Sequence, residues 1–355
     1  MMTSRERVLT TLSHREPDCV PLTLAYETPE AILKRYDKTE SDLSVPMRQD
    51  VGMVRSPATP PDPSVRERYF RDIELPSDAR IDAWGVARWH SPTGESHSVV
   101  GPLRHAETID DLEAFPWPGI EDDSCIDALS SQVSHLHAQH LASMGGGCSI
   151  FEQSWYLTGM EKLMMAFHTD ADFVSTLFDK VTERMVARAR HAALAGVDIL
   201  QTGDDIAGQK GMLISPDLWR QTLKPRLAKV IEVAREVSPD IGVFYHSDGA
   251  VGAVIEDLIE VGVTILNPIQ PEVMDPFHIK RAFGDRITLW GTVGTQSTLP
   301  FGTPKEVCEV VRNYCKTLGQ GGGYVIAPTH AIKEDVPWEN IRAFYEAVET
   351  YGSLS

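Results

Sequence analysis

Short apolar segments alternate with helical segments through the second half of the chain, and this alternation restricts the fold more than any other feature. The apolar segments read VDILQTG, IGVFYHSDG, VTILNPIQ, RITLWGTVG and GGYVIAP. Several of the helical segments between them begin with proline in the first turn, which is a favoured N-terminal position. Apolar strands flanked by helices predict a parallel sheet that is buried on both faces.

Two α/β folds have this periodicity, the (β/α)8 (TIM) barrel and the doubly wound sheet. No Gly-x-Gly-x-x-Gly sequence follows the first predicted strand, Val20 to Leu24, so the usual dinucleotide-binding fingerprint is missing. A length of 355 residues is common for a single barrel. We therefore predict one (β/α)8 barrel domain that spans residues 1–355.

The N-terminal part of the chain departs from this regular alternation. Pro-rich turns such as TPPDPS and AFPWPG interrupt it, yet Trp84, Trp89 and Trp117 make it too apolar for a disordered linker. We interpret residues 37–134 as an insertion that elaborates the first crossover and forms a lid over the barrel mouth.

The composition limits the partners that the protein can have. A formal net charge of -18 argues against nucleic acid, because phosphate binding needs clustered lysine and arginine. No apolar stretch approaches the ~18 residues of a membrane span. Five scattered cysteines without a Cys-x-x-Cys pair are typical of a reducing, cytoplasmic compartment. Barrels of this size often dimerise, which leaves a homodimer open.

Polar side chains follow most of the predicted strands, where active sites lie in barrels. They are Glu27, Glu152, Asp204, Asp205, His246, Asp248, Asn267, Gln270 and His330. Each has an ordinary structural alternative, because loop carboxylates cap helices and amides or a single histidine brace loop backbone. Their convergence at one mouth exceeds what capping requires, so we expect a small-molecule site there. We assign catalysis to Glu27, Glu152 and Asp205, and substrate contacts to Asp204, Tyr245, Asn267 and Gln270.

The sharpest combination is His246-x-Asp248 together with His330. Two imidazoles and one carboxylate can hold Zn²⁺ and leave positions open for substrate. Non-haem Fe²⁺ is the less expected ion for the same ligands. His-x-Asp is a short motif, and structural hydrogen bonding is the alternative explanation for these side chains.

Several segments resemble the uroporphyrinogen decarboxylase (URO-D) superfamily in order and spacing. They are RERVLTTLSHREPDCVPL, GDDIAGQKGMLISPDLWRQTLKPR, FYHSDGAV, LNPIQPEVMDP, FGDRITLWGTVGTQ, LPFGTPKEV and GGGYVIAPTHAIKEDVPWENI. The resemblance covers both ends and most of the second half, and it is weak between residues 37 and 134. It implies a (β/α)8 barrel without selecting one reaction.

Two branches of this superfamily bear on the reaction. True uroporphyrinogen decarboxylases carry an N-terminal Arg-Gln-Ala-Gly stretch whose arginine holds propionate groups, whereas this chain has TLAYETPEA at that place. Coproporphyrinogen synthesis is therefore not expected. Corrinoid-linked methyltransferases bind zinc through a His-x-Cys motif and a later cysteine. By this resemblance His246 matches the histidine, Asp248 replaces the first cysteine, and His330 falls near the second.

The replacement of thiolates by harder ligands implies an oxygen or nitrogen substrate rather than a thiol. The leading hypothesis is a metal-assisted methyltransferase that demethylates a small O- or N-methylated compound. Glu152 or Asp205 would act as acid or base. The chain has no Asp-x-His-x-x-Gly cobalamin motif, so the corrinoid acceptor would lie on a separate protein.

A cofactor-free decarboxylase of an aromatic or pyrrolic acid is the alternative. Asp205 or Glu27 would then stabilise a protonated ring intermediate electrostatically. This carboxy-lyase hypothesis also needs arginines that hold carboxylates, and Arg220 and Arg226 lie on a predicted helix with no known direction. A barrel that binds a ligand without catalysis is a third hypothesis, which the many polar residues at the mouth disfavour.

Overall fold

The computed structural model describes residues 1–24, 27–57, 59–90, 97–119 and 124–354. Within these residues the strands are β1 (Val51–Met53), β2 (Arg80–Ile81), β3 (Ala87–His90), β4 (His97–Val100), β5 (Ala142–Ser149), β6 (Ile199–Gly203), β7 (Ala207–Gly208), β8 (Gly211–Met212), β9 (Gly242–His246), β10 (Ile265–Asn267), β11 (Thr288–Trp290) and β12 (Tyr324–Val325). The α-helices are α1 (Ser4–Leu12), α2 (Pro29–Arg35), α3 (Val65–Tyr69), α4 (Ile109–Glu113), α5 (Ser124–Ala138), α6 (Phe151–Thr158), α7 (Met160–Thr169), α8 (Ala171–Leu194), α9 (Pro216–Thr222), α10 (Lys224–Val237), α11 (Ile255–Glu260), α12 (Pro276–Phe283), α13 (Thr298–Phe301), α14 (Pro304–Leu318) and α15 (Trp338–Tyr351). Short 3-10 helices occupy Glu40–Asp42 and Gly252–Val254.

A parallel sheet of seven strands forms the centre of the molecule, in the order β1-β5-β6-β9-β10-β11-β12. The strands lie side by side in register, so that Gly203 of β6 is opposite His246 of β9, and His246 is opposite Asn267 of β10. The carboxyl ends of three neighbouring strands therefore meet in one row. Side chains that follow this row share one mouth of the sheet.

The segment of residues 20–24 closes this sheet into a barrel. On one side the backbone N–H of Thr23 donates to the carbonyl of Ile326 at 3.1 Å, and the N–H of Ile326 donates to Pro21 at 2.9 Å. On the other side the N–H of Asp50, just before β1, donates to the carbonyl of Leu22 at 2.8 Å. The segment thus lies between β12 and β1 as the eighth staggered strand, and the predicted (β/α)8 barrel is confirmed.

Apolar side chains fill the barrel, so its interior is a packed core. The Trp290 ring meets the Phe244 ring edge-on, with centroids 5.2 Å apart. The buried residues of this core are Val8, Val51, Ala142, Met144, Ile199, Phe244, Ile265, Trp290, Val325 and Ala327. Because alternate residues of a strand face opposite sides, Tyr245 next to Phe244 points into the surrounding helix layer instead.

The helix α1 covers the amino-terminal end of the barrel and is tied to it by an acidic residue. Asp198, just before β6, accepts hydrogen bonds from Arg5 of α1 at 2.8 Å, from the N–H of Ser143 at 2.9 Å and from His137 of α5 at 2.9 Å. At the opposite end of the barrel, the residues that end the strands line an open mouth.

The outer helices are amphipathic and bury one face against the strands. On α14 the buried residues recur at helical spacing; they include Val307, Val311, Tyr314 and Cys315. Thr303 and Glu306 form a capping box at the start of this helix. Among the helices that the structure describes, none combines the length and the apolar content that crossing a bilayer would require.

The region of residues 37–134 contains part of the barrel as well as added structure. The strand β1 pairs with β5, and α5 packs beside them. Between them, β2, β3 and β4 form a separate antiparallel sheet. The elaborated crossover thus follows β1 rather than the first strand. The sequence pattern missed β1 because a strand of three residues gives almost no periodic signal.

Candidate metal centre

Two histidines and one aspartate converge where β9 and β12 end. His246 is the last residue of β9, Asp248 follows two residues later, and His330 lies in the loop after β12. Each side chain offers one ligand atom, and these atoms all lie within 4.8 Å of one another. The imidazole rings of His246 and His330 have centroids 6.2 Å apart and planes inclined by 52°. The three side chains predicted from sequence to share a metal are therefore together.

Asn267 fixes the orientation of the His246 ring. The Nδ1 atom of His246 lies 2.8 Å from Oδ1 of Asn267, and Nδ2 of Asn267 donates to the carbonyl of Trp290 at 3.1 Å. Because that carbonyl can only accept, the amide oxygen must face the imidazole, which then carries its proton on Nδ1. This arrangement leaves Nε2 as the atom that would face a metal, a partnership common around metal-bound histidine.

Asp248 presents a buried oxygen to the same space. Its Oδ1 is buried and has no hydrogen-bond partner among the residues that the structure describes. Burial raises the pKa of Asp248, and the neighbouring carboxylate of Asp205 raises it further, whereas charge on His246 or His330 would lower it. A buried carboxylate oxygen without a donor is unfavourable alone and is stabilised by a cation. The site therefore fits a divalent metal.

Asp205 stands beside the three residues rather than among them. Its Oδ1 accepts a hydrogen bond from the N–H of Asp248 at 2.9 Å and lies 3.6 Å from Nε2 of His246. Together with His246, His330 and Glu152 it faces a cavity of about 260 Å³. The other residues around this cavity are Gly147, Cys148, Ser149, Gln201, Thr202 and Gly203.

Glu152 is the second carboxylate of this cavity, and its surroundings raise its pKa. Burial raises the pKa of Glu152, and the charge of Asp205 adds to that effect. The hydroxyl of Tyr156 donates to Oε1 of Glu152 at 2.5 Å and opposes the rise. A carboxyl group in this setting holds its proton closer to neutral pH than an exposed one.

Asp204 lies behind the cavity and supports the helix that carries Glu152. It is 6% exposed, and its Oδ1 accepts a hydrogen bond from the N–H of Glu152 at 2.9 Å in the first turn of α6. Burial raises the pKa of Asp204 well above its ordinary value. Its oxygen occupies the place that a cap from the preceding chain would take, since Ile150 has no capping side chain.

Three other residues assigned from sequence to the site do not line the cavity: Gln270 and Glu27 hold backbone N–H groups, and Tyr245 packs among apolar side chains. Gln270 is 1% exposed and accepts from the N–H of Gly249 at 2.7 Å, which holds the loop after Asp248. Tyr245 is 1% exposed within the helix layer. Glu27 pairs with Arg35 and accepts from the N–H of Ile332 at 2.7 Å, which anchors the loop that carries His330.

The arginines considered from sequence lie elsewhere, and a different one approaches the site. Arg220 pairs with Asp257, and Arg226 pairs with Asp179, both between helices. Arg88 of β3 instead stacks on the ring of Tyr156, with 4.2 Å between its guanidinium carbon and the ring centroid. Tyr156 could have been found from its spacing of four residues after Glu152 on a helix, whereas nothing local in the sequence points to Arg88.

Comparison with known proteins places this chain in a family. The sequence model described as uroporphyrinogen decarboxylase (URO-D) matches residues 85–351. This chain belongs to the URO-D family. The URO-D of Coxiella burnetii is 26% identical over 283 residues, which cover 76% of this chain and 74% of that protein. The URO-D of Thermus thermophilus is 28% identical over 174 residues, which cover 49% of this chain and 47% of that protein.

A solved structure has the same fold over its whole length. It is a methyltransferase from Methanosarcina mazei, with a TM-score of 0.67 and 18% sequence identity, and the match covers 99% of both chains. The superfamily expected from the sequence segments is thus confirmed, and so is the barrel. This URO-D family member differs from its relatives enough that the family alone does not assign its reaction.

Proposed function

We propose that this URO-D family member is a metal-assisted methyltransferase. It would remove a methyl group from a small O- or N-methylated compound and pass it to a corrinoid carried on a separate protein. The observation that carries this proposal is the His246, Asp248 and His330 set, whose ligand atoms lie within 4.8 Å of one another. The full-length likeness to a protein described as a methyltransferase supports the reaction class.

The donor set favours Zn²⁺, with Fe²⁺ as the less expected ion. Two imidazoles and a carboxylate provide three ligands and leave positions open for substrate. A bound ion would supply a Lewis acid that draws electron density from the oxygen or nitrogen that carries the methyl group. A carboxylate in place of thiolates suits such a hard leaving atom better than a thiol sulfur.

Glu152 would supply the proton that the reaction needs. When the methyl group moves to its acceptor, the substrate oxygen or nitrogen keeps the bonding electron pair and takes up a proton. Burial raises the pKa of Glu152, which favours the protonated form that can give this proton. The hydrogen bond from Tyr156 fixes the direction of the carboxyl group, and Asp205 holds the backbone of Asp248 in place.

Elemental analysis tests the metal centre directly. Protein purified without chelator or affinity nickel should contain about one equivalent of zinc or iron. The His246→Ala variant should lose it, whereas His135→Ala, which changes an exposed histidine of α5, should keep it. A folded wild-type protein that contains no metal and takes up no added zinc would overturn the proposed site.

Activity is tested separately with small methyl ethers and methylamines and a reduced corrinoid protein as acceptor. Methylation of the corrinoid, followed by its absorption spectrum, should depend on both His246 and added metal. Failure of every O- and N-methylated substrate with metal-loaded enzyme would contradict the assigned reaction while leaving the metal centre intact.

A cofactor-free decarboxylase of an aromatic or pyrrolic acid is the second candidate. The curated relatives described as uroporphyrinogen decarboxylases favour it, as does the presence of Arg88 next to Tyr156 and Glu152. Release of CO₂ from such an acid by chelator-treated protein would support this reaction. Methyl transfer that requires metal would exclude it as the main activity.

A further inference from the structure

A bulge in β5 forms one wall of the metal-centre cavity. In the pairing of β5 with β6, Gly146 is opposite Gln201. The next residue with a partner is Cys148, which is opposite Thr202. Gly147 is therefore an extra residue in β5, and it lines the cavity. Bulges of this kind occur next to active sites, where they change which groups face a ligand.

The absence of a side chain at Gly147 leaves room in this wall. A Cβ atom at Gly147 would meet no atom of the described residues within 4 Å, apart from its chain neighbours. The other glycine of the cavity, Gly203, differs, because its Cβ would lie 2.7 Å from the carbonyl oxygen of His246. Gly203 thus lets β6 and β9 approach each other, whereas Gly147 adjoins open space that a ligand can fill.

This space lies across the barrel mouth from the candidate metal ligands. Ser149, Gly203 and His246 form one row across the ends of β5, β6 and β9. Neighbouring strands are about 4.8 Å apart, so β5 lies about 10 Å from β9. A substrate whose oxygen or nitrogen is held beside His246 would therefore extend the rest of its body toward Gly147.

The floor of the cavity limits how large this body can be. Gly146, Gln201 and Phe244 form a row deeper in the barrel. Gln201 lines the cavity, and Phe244 belongs to the packed core beneath it. The cavity has a volume of about 260 Å³. Since a cavity of about 150 Å³ can hold benzene, this one suits a single ring with a methoxy group and is too small for fused or linked rings.

We propose that the methylated substrate carries at most one ring and that Gly147 is the specificity residue that makes room for this ring. The inference rests on the proposed function and adds the size of the substrate to it. A side chain at residue 147 removes that room. The candidate metal ligands stay in place, because His246 ends β9 and neither Asp248 nor His330 belongs to β5.

Calorimetric titration of the purified full chain tests the inference without any corrinoid. The probes are 2-methoxyethanol, 2-methoxyphenol and 3-methoxy-2-naphthol, which share a methoxy and a hydroxyl group and differ in the number of rings. We expect the first two to bind, and the naphthol to bind at least about tenfold more weakly than the phenol because it overlaps the walls. Equal or tighter binding of the naphthol, or no saturable binding of any probe up to about 10 mM, would overturn the inference.

Variants test the role of Gly147. Gly147→Ala should weaken the binding of 2-methoxyphenol by about tenfold and that of 2-methoxyethanol by less than about twofold. Gly147→Asn adds a larger side chain that tolerates positive φ and should exclude the phenol more strongly. The matched control is Gly196→Ala, because Gly196 has φ +82° against +67° for Gly147 and lies before β6, at the other end of the barrel. It introduces similar backbone strain and should leave both affinities unchanged. Equal affinities in Gly147→Ala and the wild type, with unchanged circular dichroism, would contradict the assigned role.

Metal content and methyl transfer separate this inference from the proposed function. The Gly147→Ala variant should contain as much metal as the wild type. Binding that depends on ring number and on residue 147, without methyl transfer from any probe, would contradict the proposed reaction and support the size limit of the cavity. Methyl transfer that Gly147→Ala slows equally for 2-methoxyethanol and 2-methoxyphenol would overturn this inference and leave the proposed function standing.

Discussion

At the scale of single residues, the proposed metal centre depends on the side chains that orient the candidate ligands as much as on those ligands. Asn267 is buried, yet the hydrogen bonds of its side-chain amide decide which nitrogen of His246 carries the proton. Tyr156 likewise acts through Glu152, because its hydroxyl is directed at the carboxyl group. Changes to these supporting residues should alter metal affinity or pH dependence without changing the ligand set.

We expect Asn267→Ala to weaken metal binding by about 10- to 100-fold, because the imidazole of His246 loses the acceptor that fixes its tautomer. Asn267→Asp keeps an acceptor at that place and should retain most of the affinity. Competition with a chelating dye measures both values. Equal affinity of the alanine variant and the wild type would show that the hydrogen bond does not orient the ligand.

Glu152→Gln should lower the rate of methyl transfer by about 10²- to 10⁴-fold with the metal content unchanged, because the glutamine has no acidic proton to give.

Tyr156→Phe should instead change the pH dependence of methyl transfer. Burial raises the pKa of Glu152 and the tyrosine hydroxyl lowers it, so loss of the hydroxyl raises the pKa further. The alkaline limb of the pH–rate profile should then move to higher pH; a shift to lower pH would contradict the role of Glu152 as acid.

At the scale of elements, the position of α6 decides where Glu152 points. This helix begins without a capping side chain of its own and uses Asp204, from the chain after β6, as a substitute. The helix and the strand are thereby joined directly at the mouth. A substitution that removes the hydrogen bond between Asp204 and α6 should first lower the stability of the protein and then its activity.

Asp204→Ala should lower the free energy of unfolding by about 1–3 kcal/mol, because a buried backbone N–H of α6 loses its acceptor. Asp204→Asn keeps an acceptor oxygen and avoids a buried carboxyl group, so its stability should lie close to that of the wild type. Urea unfolding followed by circular dichroism measures both. Equal losses in the two variants would argue for a role of the carboxylate charge rather than the cap.

The elements that were predicted well are those with strong local patterns. The segments VDILQTG, IGVFYHSDG and VTILNPIQ contain β6, β9 and β10, and proline marks the first residue of α9, α12 and α14. The shared mouth of His246, Asp248 and His330 followed from the rule that parallel strands end at one edge. The strand rule also places Tyr245 on the face opposite to His246, and the structure has Tyr245 in the helix layer.

Contacts between residues that are far apart in the sequence could not be predicted from such local patterns. β1 is too short for a periodic signal, and Arg88 reaches Tyr156 from a separate antiparallel sheet. Asp204 and Gln270 look like substrate-contact residues in sequence because they follow strands, yet both accept hydrogen bonds from backbone N–H groups. Which of several polar residues in a loop faces the cavity depends on tertiary contacts that a single sequence does not encode locally.

At the scale of the whole molecule, the barrel is held at its amino-terminal end by the Asp198 network. Three separate elements meet there through one buried carboxylate, whose side chain is 5% exposed. Burial alone would raise the pKa of Asp198, but the hydrogen bonds from Arg5, Ser143 and His137 lower it below its ordinary value. The ionised form is thus the one that stabilises the fold.

Asp198→Asn should therefore destabilise the protein at pH 7 by about 1–3 kcal/mol. A lowered pKa in the folded state contributes stability above the unfolded value of about 3.9 that is lost as the pH falls through the folded pKa. The difference between wild type and variant should shrink below about pH 4. Thermal unfolding across pH 3–7 measures it, and a pH-independent difference would contradict this account.

The closure of the barrel sets an order of events in the cell. Leu22 pairs with Ile326 near the other end of the chain, and a ribosome that adds about 5–20 residues per second exposes segment 20–24 roughly 15–60 s before β12 exists. During that interval segment 20–24 can pair with β1, but its edge toward β12 is unpaired and another nascent chain can join it. The first strand to be synthesised is thus the last to be paired on both edges, so the yield of folded protein depends on how well its unpaired edge is protected.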